Sequence, residues 1–549
     1  MNAHEQRIVR FLSQRHAYPH SVGRVERRET HVSHVFLAGE FAYKLKKPVK
    51  FPFLDASTLA HRKRFCEWEL ALNRRLAPTI YLRMVPIVET RHGLKLGPST
   101  RPAADAGGSL RTPFALSAQG ELRGNGRIIE WVVKMKRLPE ERMLDRLVAR
   151  RAVRRRDMEH IGDQLAAFFR RAEHGRAIDR YGEPPQVAEL VLGNLRECQG
   201  FIGTLLSESD RAFLEASYRQ YLALHEPLLQ QRVREHRIID GHGDLRCENI
   251  CLTDPPNIFD CVEFQPAFRC GDMANDFSFL VMDLEFRGRK DLADALVARY
   301  QKRLSDPTFR SVFSFYQCHR SLVRGKVRGL AWLQHPRSRE GRRIREFSRR
   351  HFQLAVRYAR AFAPPRLIVV GGLIGTGKST LAKSLAEGLE AAWLRTDEIR
   401  LTEFASARRP VQGFAEGIYA PRVSELVYQR LIRHAETLIR QGRSVVCDGT
   451  FAKAIGRERL RRIARRHGAS FHFFECVVPR AVALRRIAKR YTSKSDISEA
   501  QPAHYDRLRA EFEPVRGWSK RDWTRLSDDR ASEATYRAAL AALRKAWLA

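Results

Sequence analysis

No run in the sequence approaches the roughly 18 consecutive apolar residues that a membrane-spanning helix needs, so the chain offers no candidate for one. The opening residues, MNAHEQRIVRFLSQRH, interleave charge with apolar side chains and lack the apolar core of a secretory leader. A cytoplasmic protein is expected, with no membrane partner. Cysteine is sparse: nine in 549 residues, an odd number without framework spacing, which argues against a disulfide scaffold and for a reducing compartment. Cys247, Cys251, Cys261 and Cys270 lie close together without any CxxC pair, which leaves a zinc site or, more simply, buried small hydrophobes. Repeats at solenoid periods are absent as well.

What is present points to soluble domains. Hydrophobic residues make up 44% and charged residues 29%, a balance able to bury substantial cores, and the length suits two large units. A net charge of +37 attracts phosphates, nucleic acid or anionic surfaces over long range. The bland alternative is an arginine-rich protein whose helices simply solvate their arginines, as residues 457–466 do around Leu460, Ile463 and Ala464.

Pro364 and Pro365 break the basic amphipathic pattern of residues 339–362, and the strand-like RLIVVGG follows at once. This predicts a first domain over 1–345, a linker over 346–365 and a second domain over 366–549. Residues 98–127, rich in Gly, Pro, Ala and Ser, read as a loop inserted in the first domain. Around that loop, residues 34–37 and 41–46 pattern as paired strands, 60–76 as a helix and 128–135 as a strand, with helical patterns then running to residue 236. The first domain is therefore α+β, a small β-rich lobe leading into a helical one.

Residues 372–379, GLIGTGKS, satisfy GxxxxGK[ST] between a predicted strand at 367–370 and a predicted helix at 380–389. Gly372, Gly375, Thr376, Gly377, Lys378, Ser379 and Thr380 then form a phosphate loop, in which backbone amides and a helix N-terminus cradle the phosphates of ATP. Lys378 reaches the β and γ phosphates and Ser379 ligates Mg²⁺. A second predicted strand, 391–396, ends at Asp397, placed to take a proton from an attacking hydroxyl, with Arg400 to hold an anionic substrate. Asp397 is alternatively only a helix cap. A third, 444–447, ends at Asp448, either a carboxylate near the metal or a cap for the next turn. Arg480, Arg485, Arg486 and Arg490 punctuate a later helix; Arg486 and Arg490 are candidates for a lid over the phosphates, or for a solvated face. The C-terminal domain reads as α/β, a parallel sheet flanked by helices.

Earlier in the chain, residues 242–249 read HGDLRCEN, and Asp260 follows 11 positions after Asn249. The order HxDLxxxN and then Asp suits phosphoryl transfer: Asp244 orients or deprotonates an acceptor hydroxyl, while Asn249 and Asp260 hold metal. Such a site also needs a strand lysine paired with a helix glutamate. Lys44 and Lys46 share one face of a strand; Lys44 with Glu69 is the better match, and the choice between the lysines stays open. No GxGxxG precedes this strand, and Cys261 rather than Phe-Gly follows Asp260. Glu263 is a candidate supplementary metal ligand, and Asp272 and Asp276 are expected as helix caps, with substrate contact as the alternative.

Residues 366–530, through the phosphate loop, TDEIR at 396–400, VVCDGT at 445–450 and the later arginines, resemble P-loop kinases of the polynucleotide kinase and zeta-toxin type. About residues 30–330 resemble the aminoglycoside phosphotransferase and choline kinase-like superfamily, a two-lobed protein-kinase-like fold. The phrases ETHVSHVFLAGEFAYKLKKPVKFPFLD, ELALNRRLAP, HGDLRCENI and CVEFQPAFRCGDMANDFSFLVMDLE, with the second domain behind them, are similar to bacterial bifunctional aminoglycoside phosphotransferase/ATP-binding proteins. That resemblance implies two ATP sites, Mg²⁺ and a small-molecule hydroxyl as acceptor. The charge keeps a nucleic-acid end in view as a different acceptor, and a regulatory pseudokinase is a third reading of the N-terminal half.

Overall fold

In the computed structural model, residues 2–51, 54–98, 126–334, 336–403, 420–493, 505–527 and 532–548 are described; the side chains of residues 334, 490–493, 547 and 548 are not. Most of the predicted insertion at 98–127 therefore lies outside the described residues, although Arg127 itself begins a strand. Backbone contacts divide the chain into two compact units, Met1–Gln186 with Gln230–Ser321, and Val187–Leu229 with Leu322–Ala549.

This division differs from a single cut at 346–365. Residues 187–229 join the C-terminal unit because their side chains complete its core: Leu224 packs with Ile368, Leu385 and Phe474. Arg544 donates to the Ala223 carbonyl at 2.8 Å, and Arg219 lies 2.8 Å from Glu390.

In the first unit, six strands pair antiparallel in the order Val25–Glu29, Ser33–Ala38, Phe41–Lys46, Arg127–Lys136, Tyr81–Thr90, Gly93–Leu96. Side chains alternate across a strand, so Phe41–Lys46 sends Tyr43 and Leu45 to one face and Ala42, Lys44 and Lys46 to the other. Helix Ala3–Leu12 covers the first face through Ile8, Val9 and Leu12. Helix Leu59–Arg74, started by the Thr58 side chain, covers the second through Cys66 and Leu70. Gly39 turns the hairpin at φ +63°, where a Cβ would be strained. Helices Arg155–Arg171, Met273–Phe286 and Lys290–Arg303 build the remainder of this unit.

In the second unit, five strands run parallel in the order Ala392–Arg395, Val445–Asp448, Arg366–Gly372, Ser470–Val477, Trp523–Ser527. The central strand, RLIVVGG, is buried along its whole length, as expected where helices cover both faces. Helix Lys378–Gly388 and helix Ser532–Leu548 cover one face, and helices Pro421–Arg440 and Ala454–Arg466 the other. All nine cysteines are buried and unpaired, and burial pushes the Cys261 thiol up to about 12. No helix among the described residues is long and apolar enough to cross a membrane.

Candidate active sites

The loop of residues 372–377 sits at the carboxyl end of the central strand, where the chain's crossovers diverge to either side. Open parallel sheets bind ligands at such a point. Gly372, Gly375 and Gly377 all have positive φ, +146°, +78° and +82°. At Gly372 a Cβ would stand 2.4 Å from the Cys476 carbonyl oxygen, and at Gly375 2.7 Å from that of Ala483, so both positions exclude a side chain. Gly377 is the N-cap of helix Lys378–Gly388, which places Lys378, Ser379 and Thr380 in its first turn with the positive end of its dipole. The Thr376 hydroxyl donates to the Leu373 carbonyl at 2.7 Å and fixes the loop's curl.

Neighbouring strands deliver the acidic groups. Gly449 N–H donates to Val370 O and Gly372 N–H to Thr450 O, pinning the turn after Asp448 to the start of the loop. Asp448 is buried and accepts a hydrogen bond from Ser379. Burial and nearby Asp397 raise its carboxyl, while Lys378, Ser379 and Arg395 oppose that rise. Its Oδ1 has no hydrogen-bond partner. A hydroxyl beside a buried carboxylate with an open oxygen is an all-oxygen donor set that fits Mg²⁺, with Ser379 and Asp448 as the residues that would hold it.

Asp397 lies in the first turn of helix Thr396–Glu403 rather than on the strand, which stops at Arg395. Arg400, one turn on, is buried and donates to Ser424 at 3.2 Å. Two neighbours escaped the sequence reading. Arg395 reaches 3.7 Å from Asp448, and the Tyr428 hydroxyl, which accepts the Phe451 N–H at 2.9 Å, lies within electrostatic reach of Arg400, Asp397 and Asp448. A lone arginine or tyrosine without a motif carries no signal in one sequence; only adjacency to the strand end at Asp397 hinted at Arg395.

Helix Arg480–Ser493 packs Ala483 and Ile487 directly against Ile374 of the loop. Arg486 rides on this helix; Arg480 is instead tied to Asp506 at 2.6 Å, and the Arg490 side chain lies outside the described residues.

In the first unit the sequence-distant residues converge. Lys44 Nζ donates to Glu69 Oε1 and to Asp260 Oδ1, each at 2.7 Å. Lys46 instead donates to Glu263 and ion-pairs with Glu69 Oε2 at 2.5 Å, so Lys44 is the lysine that meets Asp260. Glu263 is thereby corrected from a metal ligand to the buried counter-ion of Lys46. Burial raises the Glu69 carboxyl, but Lys44 and Lys46 together outweigh it and hold it below the usual range.

The HGDLRCEN loop is fastened from behind. Asp276 accepts the N–H groups of His242 and Gly243 at 2.7 and 2.8 Å, which corrects its expected role as a helix cap. Asp272 does cap its helix, accepting from Ala274 at 2.8 Å, and also binds the buried Arg232. Asp283 accepts the Cys247 N–H, and Arg320 donates to the Gly243 carbonyl. Buried His242 donates through Nε2 to the Phe259 carbonyl, and Phe259 N–H donates to Asn249 O, which brings Asp260 beside the loop. Asn249 Nδ2 donates to Asp244 Oδ2 at 2.9 Å. Arg246 occupies both oxygens of Asp244, at 2.6 and 2.7 Å, and also reaches Glu248. Asn249 and Asp260 supply the oxygen ligands that Mg²⁺ prefers and are the residues that would hold it here.

Comparison with known proteins places this geometry. Residues 367–515 match the AAA domain family (AAA_33), which covers the phosphate loop, Asp397, Arg400, Asp448 and Arg486. Over 479 residues the chain is 32% identical to the uncharacterized protein Rv2004c of Mycobacterium tuberculosis (strain ATCC 25618 / H37Rv), spanning 86% of this chain and 87% of that one. The chain belongs to that protein's family. Among solved structures, it is similar to a choline/ethanolamine kinase family protein from Mesorhizobium loti (13% identity, TM-score 0.35, covering 62% of this chain and 93% of that one). It is also similar to the Mycobacterium tuberculosis APS kinase CysC in complex with AMPPNP and APS (20% identity, TM-score 0.26, covering 33% of this chain and 98% of that one).

Proposed function

We propose that the chain is an ATP-dependent phosphotransferase with two nucleotide sites, acting on a small-molecule hydroxyl. The observation that carries this reading is the phosphate loop at the mouth of a parallel sheet, with Lys378 and Ser379 facing a buried Asp448. Loop amides and Lys378 hold the triphosphate, and Mg²⁺, when bound by Ser379 and Asp448, offsets the charge of the β and γ oxygens. Asp397 accepts the proton of the attacking hydroxyl, Arg400 holds the acceptor, and Arg486 sits on the helix against the loop to neutralise developing charge. In the first unit Lys44, oriented by Glu69, contacts the nucleotide, and Asp244 positions a second acceptor.

One observation favours a different role for the first unit. Arg246 engages both oxygens of Asp244, as it would if that unit bound a ligand and regulated the other without transferring phosphate. The test is to incubate the full-length protein with γ-labelled ATP and Mg²⁺ across metabolites, aminoglycosides and nucleic-acid ends, alongside Lys378→Ala and Asp244→Ala. Lys378→Ala should abolish turnover at the C-terminal site, and unaltered turnover would end the assignment. Label transfer that survives in full in Asp244→Ala selects the regulatory role for the first unit.

A further inference from the structure

Helix Leu59–Arg74 presents Glu69 to Lys44 from one face, and its opposite face lines a cavity of about 590 Å³ within the first unit. The volume lies inside the range of sites for small organic ligands. Trp68 on the helix and His174 and Tyr181 on the facing segment give the cavity aromatic surface. Four arginines line it too: Arg269, and Arg64, Arg176 and Arg180, of which the last three are exposed.

The charges of this lining do not cancel. Of the three carboxylates that line it, Asp240 is held by Arg75 and Arg269, both at 2.9 Å, Glu67 stands 3.7 Å from Lys63, and Glu173 is engaged as well, while the lining's cations, Lys63 and four arginines, outnumber them. Arg64 stacks over Trp68 at 5.8 Å, and Arg180 donates to the Tyr181 hydroxyl and lies 4.8 Å from that ring, but neither faces a carboxylate. Arg176 likewise has no carboxylate partner among the described residues. Guanidinium groups set beside aromatic faces suit an anion attached to a flat apolar body, because the fork binds oxyanions bidentately while the rings take the apolar surface.

We propose that this cavity is a binding site, separate from the Lys44–Asp260 constellation, for a small organic anion carrying a phosphate or carboxylate on a planar apolar body. The probe is 4-methylumbelliferyl phosphate, titrated without nucleotide into the full-length protein and followed by its fluorescence anisotropy and by quenching of tryptophan emission, with Lys44→Ala/Lys378→Ala titrated in parallel to discount binding at the nucleotide sites. Saturable binding is expected, weakened at least ~10-fold in Arg64→Glu/Arg176→Glu. Trp68→Leu should weaken it as well and remove most of the tryptophan quenching. Arg150→Glu, an exposed arginine outside the cavity lining, controls for long-range charge and should bind like the parent. Absence of saturable binding, equal affinity in the double variant, or an equal loss in Arg150→Glu would each overturn the proposal. All the substituted arginines are exposed, so circular dichroism and melting temperature should match the parent.

Discussion

Gly375→Ala isolates what the phosphate loop owes to the absence of a side chain. Gly375 has φ +78°, and its missing Cβ would lie 2.7 Å from the Ala483 carbonyl oxygen and 3.1 Å from both Ala483 Cα and Ile487 Cγ1. Placing alanine in the left-handed region costs about 1–2 kcal/mol wherever it occurs. The contact adds more, because the nearest obstructing atom, the Ala483 carbonyl oxygen, is backbone of helix Arg480–Ser493 and cannot swing aside; overpacking of this kind costs about 1–3 kcal/mol. Gly468 is the control. It has φ +64° in the same unit, but nothing lies within 4 Å of its Cβ position, so Gly468→Ala carries only the backbone cost. The difference between the variants, about 1–3 kcal/mol, measures the packing of that helix on the loop. Urea unfolding and titration with a fluorescent ATP analogue are the assays. Gly375→Ala should unfold at lower urea than Gly468→Ala and bind the nucleotide at least ~10-fold more weakly, while Gly468→Ala binds normally. Two variants equal in both measurements would refute the claim that the helix bearing Arg486 closes directly on the loop.

Two other perturbations test different parts of the molecule. Arg62 is buried, donates to Glu130 at 2.8 Å and to the carbonyls of Ala56 and Ser57 at 2.9 Å, so Arg62→Leu should cost about 3–5 kcal/mol by stranding Glu130. The double variant Arg62→Leu/Glu130→Leu should be more stable than the single one by urea unfolding, and additive losses would contradict the pairing. His472 is buried on the sheet of the second unit, donates from Nδ1 to the Arg521 carbonyl and accepts at Nε2 from Thr524. Burial lowers it from 6.5 to about 4, against the pull of the Arg521 carbonyl. The unfolded chain therefore binds the extra proton between these values. The stability that the neutral ring confers is complete above about pH 6.5 and is lost as the pH falls toward about 4. His472→Gln should flatten the fall in unfolding free energy over that interval, and an NMR titration of His472 near 6.5 would contradict the argument.

The phosphate loop was legible in the sequence because its chemistry is local. Glycines, lysine and serine must be consecutive, and the strand before them and helix after them announce themselves in hydrophobic period. Lys44, Glu69 and Asp260 were legible for a different reason: strand alternation and helix spacing restrict which residues can meet, and the 216-residue separation between Lys44 and Asp260 is bridged by two recognisable segments. Asp276 was misread because a carboxylate early in a helix fits a cap, and nothing in its neighbours says that its acceptors serve the amides of His242 and Gly243. Glu263 was misread because a carboxylate near Asp260 fits a metal site as well as it fits a lysine two residues along a distant strand.

The assignment of residues 187–229 shows a deeper limit. An amphipathic helix states that it will bury one face and not against what, since Leu224 is equally apolar beside the helices of the first unit or beside Ile368 of the parallel sheet. The polar partners decide. Gln220 reaches Ser444 at 3.5 Å, Arg219 meets Glu390, and Arg544 caps the Ala223 carbonyl, all groups drawn from the C-terminal sequence. A covariation of Arg219 with Glu390 across the family would recover this placement without coordinates, because each charge is anchored by the other.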